Sequence, residues 1–417
     1  MVKYFFNLTF LILLLSGCNS KGKMKNPVDF TPKINVGNNK YNNFHLSSPT
    51  KSNEWLNDIG NPDNIYLDEF TTFSSYKILK NDIACDPIII NEGTSTSSVL
   101  YVLDRFSNIY KISCNDKLKT LWTYSLIQDQ VKYFSGSISY NMGKLYITNG
   151  SRYIFVIDAL SGDYIFEKQL PDIIITKPLV ENNIVYLQDI SNNLYGVHAE
   201  NGNIVWQNKY NVGETLINEY DRQIWLYKSS IIALSSNGSI RSVNKETGKT
   251  TWDLSLINDD NSYENILIKD FSNKGLLVEN NIYISNSDGY LAKIDIDTGK
   301  VIYKVKAYNI QTITKNGNII ILTNSANQVI AMNPENGKFI WSIDLFDKKV
   351  TDIASIKAPQ IFNDFLYILS DKDAITKIDP SNGKVDSYIK IGRNSSSYIS
   401  FNGKLYIFNG KNIKVSK

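Results

Sequence analysis

"NPENGKFIW", residues 333–341, has close copies along the chain: "DALSGDYIF" from Asp158, "HAENGNIVW" from His198, "NKETGKTTW" from Asn244, "DIDTGKVIY" from Asp295 and "DPSNGKV" from Asp379. In every copy the first polar position leads a Gly by four residues. Eight residues on stands Phe166, Trp206, Trp252, Tyr303 or Trp341, and in the last copy Ser387. A carboxylate or amide that can bond the turn backbone, followed by a Gly that accepts a left-handed conformation, makes a tight turn. The phrase therefore predicts a hairpin with a strand on either side. Positions two and four past the Gly, such as Ile204 with Trp206 or Phe339 with Trp341, are expected to share one strand face. That face is apolar, so a neighbouring copy must cover it.

Twelve residues before each first position lies a β-branched run centred on Tyr146, Tyr186, Ile232, Tyr283, Ile321 or Tyr367. A weaker first copy has Tyr101, Ser113 and Trp122, with one residue inserted and the Gly missing. A further run precedes each pair, as in "KPLVEN", "GLLVEN", "APQIFN" and "SSYISF". The unit is then four antiparallel strands. The Gly intervals of 40, 46, 51, 38 and 46 leave the differences to loops. Four-stranded sheets at this period, each with faces it cannot bury alone, describe the blades of a β-propeller. The end of the chain sets their number. "KLYIFNGKNIKVSK" supplies the second and third strands of a blade around Tyr406, and the outer strand is missing. The run "SSYKILKN" around Tyr76 is the natural donor, which gives an all-β, eight-bladed propeller closed by an N-terminal strand. Trp122, Trp206, Trp252 and Trp341 are read as packing residues between blades rather than as ligand stackers.

Chemistry is sparse by comparison. The chain has two histidines, His45 and His198, so neither a His-rich zinc site nor a Ser-His-Asp set is available. "ETGKT" from Glu246 mimics the tail of a phosphate-binding loop, but Val243 stands where the first Gly belongs, and it is read as a hairpin turn. A net charge of +3 over 417 residues gives no reason to expect nucleic acid. No catalytic, cofactor-binding or metal-binding residue is assigned.

The N-terminus carries the clearest address. Met1-Val2-Lys3 is a short basic start, Tyr4–Leu15 is apolar, and "LSGC" ends at Cys18. The apolar run is too short for a mature membrane span and has the layout of a secretory signal, residues 1–17. A Cys directly after Leu-Ser-Gly resembles the bacterial lipobox, which implies cleavage before Cys18 and its acylation. Asn19 in place of Asp favours the outer membrane by the enterobacterial sorting rule. Residues 18–52, rich in Lys, Asn, Pro and Ser, read as a flexible tether, and residues 53–417 as one propeller with a short N-terminal extension. Cys85 and Cys114 fall on strands two places apart, too far for a disulfide, so both thiols are expected to stay reduced.

The hairpin phrase resembles the tryptophan-docking repeat of quinoprotein propellers, a fold that hosts dehydrogenases and non-enzymatic proteins alike. The enzymes carry a vicinal Cys pair over the quinone and a calcium held by acidic residues. Here the two cysteines are 29 positions apart, and no comparable acidic set stands out. Lipobox, tether and eight repeats together resemble the BamB family, lipoproteins of the outer-membrane β-barrel assembly machinery. "EWLNDIGNPDN" from Glu54 is similar to the Gly-Asn-Pro segment ahead of the propeller in alphaproteobacterial members, and "FNGKLYIFNGKNIKVSK" to the family's last blade. The resemblance implies a non-enzymatic scaffold without cofactor, anchored by lipid on the periplasmic side of the outer membrane. Its partners would be a BamA-like insertase, other subunits of that complex and unfolded outer-membrane proteins. It also implies contact through the loops after Trp206 and Trp252. Asp270 matches the first acidic residue of the family's Leu-Ser-Asp-Val-Asp stretch, while Ser272 replaces the second. Leu216 and Ile217 are the nearest apolar counterparts in the earlier loop, with no Arg beside them. The plain alternative is that Asp270 caps a turn and Leu216 with Ile217 begin a core strand. A quinone-dependent dehydrogenase and a periplasmic glycan- or peptide-binding propeller remain the competing readings.

Overall fold

The computed structural model describes residues 34, 36, 44–46, 68, 70, 72–92, 98–115, 117–127, 136–210, 222–256, 271, 275–286, 289–345, 356–370, 374–392 and 395–417. These form eight four-stranded antiparallel sheets. Seven are built from consecutive strands, and the eighth combines Ser395–Phe401, Lys404–Asn409 and Asn412–Ser416 with Phe73–Lys77 from the other end of the chain. The closing strand pairs Phe73 with Ser416 and Lys77 with Asn412. The sequence expectation of an eight-bladed propeller closed near Tyr76 is met.

The burial pattern follows from stacking sheets face to face. Middle strands such as Ile319–Asn324 and Gln328–Met332 are buried at every residue, because a blade lies against each of their faces. Outer strands alternate, as in Lys300–Lys306, where one face meets the next blade and the other meets water. The apolar core is accordingly divided into clusters that sit between blades. Ile147 and Phe155 of blade two join Tyr101 and Leu103 of blade one, for example, and Ile282 and Ile284 of blade five join Ile232 and Ile240 of blade four. One cluster is larger than the rest and takes in blades seven, eight and one together, across the seam.

Each repeated phrase is the hairpin between a third and an outer strand. In blade two, Asp158 Oδ1 accepts from the amides of Leu160 and Ser161 at 2.9 and 2.8 Å, and the Gly162 amide closes the turn on Asp158 O at 2.9 Å. "ETGKT" is the same turn in blade four, where Asn244 Oδ1 accepts from Glu246 and Thr247. The aromatic eight positions on lies flat against the hairpin of the following blade. Trp122 donates to Leu160 O at 3.1 Å, Trp206 to Lys245 O at 3.0 Å, Trp252 to Ile296 O at 2.9 Å, and Trp341 to Pro380 O at 2.9 Å. Tyr303 does the same through its hydroxyl, to Pro334 O at 2.9 Å. The ring also explains the use of Gly in these turns. At Gly248 (φ +69°) a Cβ would stand 2.7 Å from the Trp206 ring.

One expectation about faces is corrected. Ile204 and Trp206 do not share a face, because the register slips at every such hairpin of blades one to seven. In blade three, Ile204 pairs with Val197 and Trp206 with Gly196, so Val205 is an extra, bulged residue. The same slip separates Phe339 from Trp341, which pair with Met332 and Ala331. Phe339 turns toward blade five and Trp341 toward blade seven. A bulge adds one residue to one strand and so inverts the alternation beyond it.

Neither Cys85 nor Cys114 is in a disulfide. Cys85 lies ahead of the inner strand Ile88–Asn91 and Cys114 follows the third strand Asn108–Ser113, as the spacing argument required.

Candidate functional site

Antiparallel order gives the propeller two distinct ends. One carries the hairpins between first and second strands and between third and outer strands. The other, the connecting face, carries the second-to-third turns and the links from blade to blade. The chain itself runs along blade six, from the connecting-face end of its third and outer strands to the hairpin between its first two strands. The Ile34 amide donates to Gln328 Oε1 at 3.0 Å, and Ser342 Oγ donates to Ile34 O at 2.8 Å. The Val36 amide donates to Ser342 Oγ at 3.1 Å. At the hairpin between the first two strands of blade six, the His45 amide donates to Asn318 Oδ1 at 3.0 Å and the Asn318 amide to His45 O at 3.1 Å. Phe44 and Leu46 pack into the core between blades six and seven. Where it is described, the segment read as a tether therefore lies against the propeller. Further on, the Asp68 amide donates to Gly403 O at 2.8 Å in a hairpin of blade eight.

The connecting face between blades three, four and five is built differently. Two links leave it, residues 211–221 and 257–270, and the residues at their four ends are held inward. Tyr210 is half-buried, while Arg222, Leu256 and Phe271 are buried. The Arg222 amide donates to Ile175 O at 2.8 Å, and Phe271 bridges to Asn286 in antiparallel fashion. Leu256 O accepts from Lys304 Nζ at 3.2 Å.

Arg241 organises the first pair of ends. It is fully buried in the third strand of blade four, where blades two, three, five and six place Phe155, Tyr195, Ala292 and Ile330 opposite the equivalent partner. Its guanidinium lies 3.9 Å from the centre of the Tyr210 ring, donates to Ser235 Oγ at 3.3 Å, and donates to Asn192 O. Asn192 in turn bonds Ser236 twice, through Nδ2 to Oγ and through Oδ1 from the amide, both at 2.9 Å. Tyr210 donates its hydroxyl to Asp253. Burial brings the Arg241 pKa down to about 10, with Tyr210, Asp253 and Asp189 opposing the fall. The side chain thus stays a cation at neutral pH. Nearby, burial raises the Asp189 carboxyl against the bonds it accepts from Tyr195 and Asn193. A desolvated cation costs several kcal/mol unless paired and hydrogen-bonded, and this one is ringed by a π-face, carbonyl and hydroxyl oxygens and two acidic residues. The arrangement fixes the Tyr210 stem in place. It holds no acid–base pair around a cleft, and among the described residues no group of three or more His, Cys, Asp or Glu could hold a metal ion.

Of the residues singled out from sequence, Cys18, Asp270, Leu216 and Ile217 lie outside the described residues, as does Ser272. The residues that flank both links, Tyr210, Arg222, Leu256 and Phe271, are described. Sequence reasoning missed Arg241. The signal was present in "SIRSV", a charge at a third-strand position that is apolar in blades two, three, five and six.

Comparison with known proteins gives these features a context. Residues 111–343 match the family described as outer membrane protein assembly factor BamB. An uncharacterised protein of Rickettsia conorii is 30% identical over 96% of both chains. The outer membrane protein assembly factor BamB of Shewanella oneidensis is 19% identical over 68% of this chain and 71% of its own length. Among solved structures, BamB from Moraxella catarrhalis superposes with a TM-score of 0.62 at 16% identity, covering 83% of this chain and 99% of its own. The quinohemoprotein alcohol dehydrogenase of Comamonas testosteroni gives 0.65 at 12% identity, over 88% and 80%. At such identities the structures share the fold alone. The matched family covers blades from the first to the sixth and both stems of the connecting face, and the chain belongs to the outer membrane protein assembly factor BamB family.

Proposed function

We propose that this protein is a non-enzymatic scaffold of the outer-membrane β-barrel assembly machinery, held at the periplasmic side of the outer membrane by lipid on Cys18. It binds a BamA-like insertase through the links that follow blades three and four. The observation that carries this reading is the family match across residues 111–343, which includes both links. The buried Arg241 network supports it, because stems fixed in position present a loop at lower entropic cost than free ones. On this reading Asp270 pairs with a basic group of the insertase, and Leu216 and Ile217 add apolar contact. Other subunits of the complex and unfolded outer-membrane proteins are further partners.

The test is charge reversal. Asp270→Arg should reduce co-purification with the insertase while leaving thermal unfolding unchanged, since reversing a desolvated pair costs on the order of several kcal/mol. Co-purification at the wild-type level, with normal unfolding, removes Asp270 from the interface.

A further inference from the structure

From blade one to blade seven an outer-strand ring rests on the next hairpin, while the junctions on either side of blade eight depart from that design. In the closing blade, Val415 pairs with Tyr406 on one side and Ser74 on the other. In blade six, Ala331 pairs with Ile321 and Trp341 in the same way. Ser74 therefore occupies the position of the docking ring and offers only a hydroxymethyl group. The hairpin it faces, between Ser113 and Lys119 of blade one, has no Gly. Both halves of the docking pair are missing where blade eight meets blade one, and the space between them is a cavity of about 320 Å³.

Its walls are the walls that surround a docked ring elsewhere. Tyr406 stands where Tyr101, Tyr146 and Tyr283 stand in their blades, and each of those reaches a backbone carbonyl of the next blade's hairpin. Tyr406 meets the Cys114 side chain of blade one instead of a carbonyl. Tyr76, Leu118 and Val415 complete the apolar lining. Tyr101 and Tyr186 lie 6.0 and 6.1 Å from Trp122 and Trp206, centre to centre, which shows how such a tyrosine flanks an indole.

We propose that this seam cavity is a binding site for a planar aromatic ring bearing an N–H or O–H donor, an indole or a phenol, that comes from outside the propeller. The volume lies at the lower end of small-ligand sites, about 300 Å³. The carbonyl that a ring donor would meet is that of Cys114, which follows Ser113 as Lys245 follows Asn244. The lining is neutral in its interior: burial pushes the Cys114 thiol up to about 12. Charge enters only with the exposed Lys404 and Lys417. Such a lining suits an uncharged ring better than a metal or a phosphate. The site stands apart from the assembly reading and survives its failure.

The experiment titrates the full-length folded protein with indole and, separately, with N-acetyl-tryptophanamide, following heat release and the thermal midpoint. Saturable binding with a rising midpoint is expected for wild type. Loss of that binding is expected in Ser74→Trp, whose own ring would fill the space and raise the midpoint without ligand. If Ser74→Trp does not fold, Ser74→Leu must show the same loss. Binding of indole alone assigns the site to a free small aromatic, and binding of both ligands to an aromatic side chain of a partner. Absence of saturable binding by either ligand up to millimolar concentration, or unchanged binding in a folded variant, overturns the proposal.

Discussion

Single residues in this protein are explained by what the next blade presents to them. Gly248 is the sharpest case, because it must both adopt a left-handed φ of +69° and leave room for the Trp206 ring. Gly248→Ala should destabilise the protein by at least the about 1–3 kcal/mol of a non-Gly residue held in that region, since ring displacement adds to it. A urea titration checks this, and a midpoint within error of wild type would show that the ring is not seated as described. Ser387 is the complementary case. It breaks the aromatic pattern in blade seven, and the reason lies in its neighbour. Blade eight takes its outer strand from residues 73–77, so no third-to-outer hairpin exists there for a ring to rest on. What looks in the sequence like decay of the last copy is the imprint of ring closure.

At the scale of elements, the hairpin phrase and the β-branched runs identified the strands, because both signals are local: turn chemistry on one side and alternation on the other. The bulge was not legible. It depends on the pairing register, and nothing in "NGKFIW" distinguishes a slipped pairing from a regular one. Arg241 shows the opposite limit, for its oddity was visible but its partners come from Asn192, Tyr210 and Ser235 on separate elements. Closure by Phe73–Lys77 was legible through arithmetic on the repeat rather than through any property of that short strand. Its removal tests the claim. Deleting residues 70–80 leaves Asn412–Ser416 as an open edge, which is a recognised route to aggregation. Most of the variant should be found in the insoluble fraction after expression. A soluble monomer with an unchanged unfolding midpoint would mean that the ring does not need this strand.

For the whole molecule, the docked segment around Ile34 and His45 constrains how the propeller can sit on a membrane. With the lipid that we propose on Cys18, sixteen residues lead to the contact of Ile34 with blade six, a reach of at most about 55 Å when fully extended. The protein should leave the membrane fraction when Cys18→Ala is introduced, and retention in the outer-membrane pellet after a high-salt wash would place the anchor elsewhere. The closed ring carries one more consequence, which concerns time. Phe73–Lys77 is made early in synthesis, and its partner Asn412–Ser416 comes at the other end of the repeat array. At about 5–20 residues per second, the first strand waits on the order of tens of seconds before its mate exists. During that wait it is an unpaired strand next to an unfinished core. A chain interrupted anywhere before residue 412 leaves the earliest strand permanently without its mate. The propeller thereby withholds its final structure from every incomplete copy of itself.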